Sequence, residues 1–411
     1  MIDLQFNFPM LVGQDAVWAE RMRVSMEEQA REGMAALRPS FRGGGEDRVK
    51  AQAAAWLGEA VERVALTCSG HHGCLVALMA AGLAGKRVVV EAITYTGFIE
   101  QCRMLGVETV ACAMDVEGLR ADSLREICER GRAEGRPVAG LFTMPTLHNP
   151  VGCVASLERR VQVVEVAREF GLMVIEDDAY GYLHPEPVPM NYAKLAPERT
   201  FYVRGLSKNF APVVRTGLMV VPAEYAAAVA NAVKQSSSGV SRVMSGAVCA
   251  MLADGTLDRL IAAKRVEGAA RQAAARELLE GLEVSPGPNA WHLWVSLPEG
   301  STPEEVERKC EEKGVLVSGG NWFAAPGTVS PRAVRWIGSG RWRGCGCLWR
   351  LCGGEGREGR LYVPPVRKGR VRMGHPVWWD CGLVGEEVVE GLDVFFWFFV
   401  GGEVAALSED H

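Results

Sequence analysis

In the stretch GLSKNFAPVVRTG, residues 205–217, a single lysine, Lys208, follows Ser207 in a short polar turn. Arg215 stands seven residues further on, most of the gap is apolar, and the apolar run LMVV comes next. Apolar surroundings weaken a lysine's hold on its proton and leave a nucleophilic amine. Arginine offers a planar fork of donors that suits a phosphate or a carboxylate. The pair points to an amine that reacts with a carbonyl on a phosphorylated ligand. The bland alternative is a surface turn with two solvated cations.

Other stretches place polar residues where strands give way to turns. TCSGHHG (67–73) precedes a helical pattern, so its backbone N–H groups and the helix N-terminus make an anion cradle around Gly70, His71 and His72. The two histidines lack a third ligand nearby, so no metal site is expected. EAITYTG (91–97) puts Tyr95 just after a strand, where its ring can cover a flat ligand or simply pack. In PTLHNPVG (145–152) two prolines constrain a turn that aims Asn149, which is otherwise an ordinary turn residue. IEDDAYGYL (175–183) closes a strand on two carboxylates, with Tyr180 three residues after Asp177. An acid on the apolar side of a strand end is costly unless it meets a cation, and a protonated ring nitrogen is such a cation.

The elements that must hold these residues follow from periodicity. KRVVVEA, ETVACAM, VAGLFTMP, LMVIEDD, TFYVRGL and GLMVVP read as strands, and SLERRVQVVEVAREFG (156–171) as an amphipathic helix stopped by Gly171. Apolar strands alternating with helices predict an α/β fold, a mostly parallel sheet covered by helices on both faces, with ligands beyond the carboxyl ends of the strands. After Pro222 come alanine-rich helices, one over 256–282. NAWHLWVSLP, VLVSG and AVRWIG then read as strands, and TPEEVERKCEEKG as a capped helix. These form a smaller α+β unit. The expected organisation is an N-terminal arm (1–45), a large domain (46–240), a small C-terminal domain (241–340) and an atypical tail (341–411).

At 411 residues, with a formal net charge of −5, the chain carries no basic signature for nucleic acid or an anionic membrane. No apolar run reaches membrane-spanning length, and the first residues lack the basic and apolar regions of a secretory signal. Among the 12 cysteines no pair of CxxC knuckles occurs. Buried free thiols in a reducing cytoplasm are expected.

Asn149, Asp177, Tyr180, Lys208 and Arg215, joined through NPxG, DxxY and SKxxxxxxR, resemble in order and interval the cofactor site of fold-type I pyridoxal-phosphate enzymes. Over residues 40 to 340 the chain is similar to class I/II aminotransferases, most closely the kynurenine and 2-aminoadipate branch. The resemblance implies a homodimer that binds pyridoxal 5'-phosphate and moves an amino group between an amino acid and a 2-oxo acid. It implies that Lys208 carries the cofactor covalently and then moves a proton, and that Asp177 pairs with the ring nitrogen. Asn149 and Tyr180 would meet the ring's phenolic oxygen, and Tyr95 would stack on the ring. Ser207, Arg215 and the amides around Gly70, His71 and His72 would hold the phosphate. Arg335 in SPRAVRWIGSG would take the substrate carboxylate, with Arg332 as the competing choice. Trp322, Phe323, Trp291 and Tyr182 would line a pocket for an apolar or aromatic side chain, or belong to the core.

Three departures stand out. Gly205 occupies a place where the family often has serine. Phe41 stands in the region that commonly supplies a tyrosine from a partner subunit. The family's closing helix is missing after Arg335, and the run GRWRGCGCLWRLCGGEGREGR reads as a shifted reading frame or a disordered tail. Two other functions share the same resemblance. One is a different pyridoxal-phosphate reaction, a lyase or decarboxylase. The other is a non-enzymatic effector domain of a winged-helix regulator, for which residues 1–45 look too short to be the DNA reader.

Overall fold

The structure, a computed structural model, describes residues 2–37, 45–285, 287, 289–329 and 331–337. Phe41 and the tail 341–411 lie outside the described residues.

Seven strands form the main sheet, in the order Val64–Thr67, Gly217–Val220, Thr200–Gly205, Met173–Asp177, Val138–Thr143, Arg87–Glu91 and Glu108–Cys112. All neighbours are parallel except Gly217–Val220, which is antiparallel to the strands on both sides. The alternation of side chains along each strand feeds two cores. Val88, Val90, Phe142, Ile175 and Phe201 join one, and Val89, Leu141 and Val174 the other. This is why the strands are apolar throughout: each face is covered. The helix Leu157–Phe170 has the expected ends, with Ser156 capping the Arg159 N–H and Gly171 in the left-handed region at φ 71°.

Six of these strands match the sequence reading. The seventh, Val64–Thr67, was not among the strands expected there. It is four residues long and runs straight into the Ser69 turn.

A second sheet has the order His292–Ser296, Ala333–Ile337 and Ser318–Gly319, all antiparallel. The helix Pro303–Glu312 packs on it, capped by Thr302 as its sequence predicts. The N-terminal segment belongs here too. Ile2–Asp3 pairs in parallel with Val315–Leu316, and Leu4 is buried with Leu279, Leu293 and Val306. The segment VLVSG is therefore two short strands rather than one. The helix Thr256–Leu278 contributes to both the main core, through Leu257 and Ile261, and the smaller one, through Ala275. Among the described residues no helix is long and apolar enough to cross a membrane.

Candidate active site

Parallel strands bring their carboxyl ends to one rim, and the exception completes it. Gly217–Val220 runs the other way, so it begins where its neighbours end. Gly217 lies opposite Thr67 on one side and Gly205 on the other. Arg215, two residues before Gly217, thereby joins the Ser69–Gly70 turn and the Ser207–Lys208 turn. A cavity of about 590 Å³ opens at this rim. Its lining includes Gly70, His71, Tyr95, Asn149, Asp177, Tyr180, Ser207, Lys208, Arg215 and Arg335. Of the residues predicted for the site, only His72 does not line it. Its ring accepts the Cys68 N–H at 3.0 Å and lies 2.8 Å from Ser236 Oγ, while its own amide is capped by Ser69 Oγ.

Lys208 is largely buried, and its amine donates to the carbonyl of Asn7. The Phe8 ring centre is 4.3 Å away and that of Tyr180 5.9 Å. Burial pushes Lys208 down to about 8, with Arg335 acting in the same direction and Asp177 against it.

The two adjacent carboxylates face different partners. Asp178 meets Tyr202 Oη and lies 3.6 Å from Arg204. Asp177 lines the cavity, and among the described residues it accepts no hydrogen bond and forms no ion pair. Burial, then the charges of Asp178 and Glu91, push it up to about 7, with Lys208 opposing.

At the anion end, Gly70 and Gly205 touch backbone to backbone. A Cβ on Gly205 would come within 2.9 Å of the Gly70 N and Cα, and one on Gly70 within 3.0 Å of the Gly205 Cα. The departure at Gly205 thus has a steric reason: a serine there would collide with the cradle. Ser69 caps the helix Gly70–Ala80. Tyr95 folds over this end, its hydroxyl 3.3 Å from His71 Nδ1. Gly97 makes room for the ring, since a Cβ there would lie 2.3 Å from the Tyr95 Cζ. Arg215 is exposed and adopts φ 40°, and among the described residues its side chain makes no hydrogen bond or ion pair. Arg215 thus faces solvent although Val214 beside it is buried.

Arg335 donates to Asn149 Oδ1 at 3.0 Å and to the Gln5 carbonyl, with its guanidinium 4.5 Å from the Phe323 ring centre. Its Nε is buried without a partner. Arg332 is exposed and does not line the cavity. Behind Asn149, the buried Glu91 accepts from Thr143 Oγ1 at 2.6 Å and the Met144 N–H at 2.9 Å. It lies 3.2 Å from His148 Nε2. The His148 carbonyl lies 3.1 Å from His292 Nε2, which makes that nitrogen the protonated one, and His292 Nδ1 faces Asn7 Nδ2 at 3.3 Å. Burial, reinforced by Arg335, pushes His292 down to about 3, so its ring is neutral beside Tyr180, 5.1 Å away between centres.

Sequence reasoning missed Gln5–Phe8, four residues that all line the cavity. Their place depends on the pairing of Ile2–Asp3 with a strand more than 300 residues away, which no local pattern reveals. Of the four residues considered for a side-chain pocket, Trp322 and Phe323 line the cavity. Tyr182 and Trp291 are buried elsewhere and bond the Lys208 and Lys264 carbonyls. Among the described residues no group of three or more His, Cys, Asp or Glu is placed to hold a metal ion.

Residues 16–335 match the family model for aminotransferase class I and II. An HTH-type transcriptional regulator of Bacillus subtilis, YdeF, is 24% identical over 67% of this chain and 58% of the relative. Aromatic-amino-acid aminotransferase 1 of Thermococcus litoralis is 27% identical over 59% of this chain and 60% of the relative. The chain thus spans less than two thirds of the length of either. The solved structure of the Pyrococcus horikoshii kynurenine aminotransferase superposes with a TM-score of 0.75 at 22% identity, covering 86% of this chain and 90% of the other; at that identity the likeness is one of fold. The match over residues 16–335 takes in the whole seven-stranded sheet and every cavity residue from Ser69 to Arg335, and on that ground the chain belongs to the aminotransferase class I and II family.

Proposed function

We propose that this chain is a pyridoxal-phosphate-dependent aminotransferase that exchanges an amino group between an amino acid and a 2-oxo acid. The observation that carries the reading is a set of polar groups around one cavity that lack internal partners: the Asp177 carboxylate, the Arg215 guanidinium and the Arg335 Nε. Polar groups that a fold leaves unpaired are costly when buried, as Asp177 and the Arg335 Nε are, and open to a ligand when exposed, as Arg215 is. These three fit, respectively, a protonated ring nitrogen, a phosphate and a substrate carboxylate. When bound, pyridoxal phosphate supplies an aldehyde that condenses with amines and a ring that takes up electrons from the substrate α-carbon.

The remaining chemistry belongs to the chain. Lys208, held near pH 8, presents a free amine at little cost and takes or returns a proton at Nζ. Asp177 rises toward neutrality when alone, so an arriving cation returns it to the charged form and keeps the ring nitrogen protonated. Tyr180, pushed up to about 12 by burial, donates its hydroxyl hydrogen, and Asn149 adds an amide, toward the ring oxygen. Tyr95 covers the ring. Ser207, Arg215 and the free N–H groups at Gly70 and His71 bind the phosphate, and Arg335 orients the substrate through its carboxylate.

We place the protein in amino-acid biosynthesis in the cytoplasm, as a homodimer. Buried thiols such as Cys102 and Cys112, pushed up to about 12 by burial, suit a reducing compartment. The exposed Phe6 at the cavity, with Met10 and Val12 exposed a few residues further along the chain, suits a two-fold partner. Likeness to YdeF favours a second reading, an aminotransferase-like effector module that binds the cofactor without turnover.

The test uses the full chain with added pyridoxal phosphate. It should absorb in the visible, and borohydride should fix the cofactor to Lys208, with Lys208→Ala abolishing the adduct. A panel of amino-acid and oxo-acid pairs should then yield a new amino acid matched to the oxo acid consumed. Adduct found on Lys194 or Lys234 would sink the site, ammonia release would indicate elimination, and binding without turnover would favour the effector reading.

A further inference from the structure

Lys264 lies on the helix Thr256–Leu278 and is fully buried. Its ammonium points at three successive carbonyls, those of Lys208 at 3.1 Å, Asn209 at 2.8 Å and Phe210 at 2.8 Å. These carbonyls end the one-turn helix Leu206–Asn209, which carries Lys208 and is too short to satisfy them itself. Two further donors meet the same group. Tyr182 Oη donates to the Lys208 carbonyl at 2.5 Å, and Gln14 Nε2 to the Phe210 carbonyl at 2.9 Å. Lys264 is fixed in turn, because its own carbonyl accepts from Trp291 Nε1 at 3.1 Å and its neighbour Arg265 donates to the Tyr182 carbonyl at 2.6 Å.

We propose that Lys264 is a positioning residue for Lys208, a buried ammonium that locks the backbone of the Lys208 turn so that the reactive amine stays aimed into the cavity. The inference rests on Lys208 being the amine that takes the cofactor. An isolated ammonium in an apolar interior is expensive and burial lowers its hold on the proton, but the three carbonyl oxygens around Lys264 Nζ favour the charged form. Ordinary helix packing is served equally well by leucine or methionine. What an ammonium adds is three charge-assisted donors aimed at three adjacent carbonyls, which a neutral side chain cannot match. All three Lys264 contacts on this turn are to backbone oxygens, the Lys208 carbonyl among them, so its action on Lys208 runs through the backbone.

Lys264→Met keeps length and removes the donors. Two rates are read on the folded full chain: borohydride-trapped capture of pyridoxal phosphate by Lys208, and competitive acetylation of Lys208 against the exposed Lys86 in cofactor-free protein. Capture should fall about tenfold to a hundredfold, the scale of a misplacement near 1 Å. Acetylation of Lys208 should rise about tenfold because the turn opens locally. Tyr182→Phe removes one donor to the same carbonyl, folds more readily, and should move both rates the same way by less. Lowered melting temperature with both rates unchanged overturns the proposal, as does a parallel rise in labelling of every lysine. A wild-type chain that captures no cofactor refutes the cofactor reading instead, and the acetylation ratio still judges the brace.

Discussion

At one end of the cavity Lys208 sits on a turn whose last three carbonyls meet a buried ammonium and whose amine already has an acceptor in Asn7. At the other end, seven residues along the chain, the Arg215 side chain faces solvent with no hydrogen bond among the described residues. A reactive group must be aimed before anything binds, since positioning supplies much of the rate. A group that grips an anion gains most when the ligand itself is its first partner, because no internal bond must be broken. Asp177 belongs with Arg215 in this respect, and Asp178, its neighbour in sequence, with the braced side. The reactive lysine is held by the protein, while the side chains of Asp177 and Arg215 await a ligand.

The sharpest way to break this contrast is to exchange Asp177 and Asp178 in role. Asp177→Asn keeps the shape but removes the charge that opposes a ring cation. Turnover should fall by roughly a hundredfold to a thousandfold, the scale of one lost electrostatic partner at a reacting centre, with little change in melting temperature. Asp178→Asn should do the reverse. Tyr202 and Arg204 lose their anion, so stability drops by about 1–3 kcal/mol while turnover of the folded enzyme changes little. Equal effects on both readouts for both variants would dissolve the distinction.

That contrast was partly legible from residue types. The strand ends, the acid pair, Tyr180, Lys208 and Arg215 were all found because a doubly covered parallel sheet forces apolar strands to stop at polar turns, and that transition shows in any window of ten residues. Asp177, which the resemblance implies for the ring nitrogen, lines the cavity, and Asp178 does not. Three features were out of reach. Val64–Thr67 offers only three consecutive apolar residues, Val64 to Leu66, before its turn. Gln5–Phe8 are placed by a long-range pairing. Lys264 stands among Ala and Arg in a helix where a lysine reads as solvated; its burial comes from where the helix lies. Arg215 failed in the opposite sense, because apolar flanks such as Val214 bury themselves and leave the arginine outside.

A smaller effect sharpens the anion end. Arg215→Ala removes an exposed side chain, so the fold should be untouched. Cofactor retention should weaken by about tenfold to a hundredfold, the value of one charge-assisted contact to a phosphate. Equilibrium dialysis of pyridoxal phosphate against both proteins measures it. A melting temperature that falls in the cofactor-free variant would mean Arg215 is structural, and that the solvent-facing end is not a waiting site.

The smallest effect lies in the titration of Lys208 itself. In the cofactor-free chain burial is the main cause holding it near 8, Arg335 adds to this and Asp177 subtracts. Above that pH the amine is free and can be acetylated; below it the ammonium is inert. Arg335→Met removes a repelling cation, so the pH of half-maximal labelling should rise. Asp177→Asn removes an attracting anion, so it should fall. Each shift should be a fraction of a unit, about 0.5, as befits charges acting across a cavity that admits water. The linked stability has a fixed sign. The folded value is below the usual 10.5, so between about 8 and 10.5 the unfolded chain holds a proton that the folded chain has released, and stability rises with pH across that window. Arg335→Met should flatten that rise and Asp177→Asn steepen it, in denaturant titrations run at pH 8 and pH 10. Shifts of the same sign in both variants would show that Lys208 responds to loosened packing, and that the two charges facing it do not set its proton affinity.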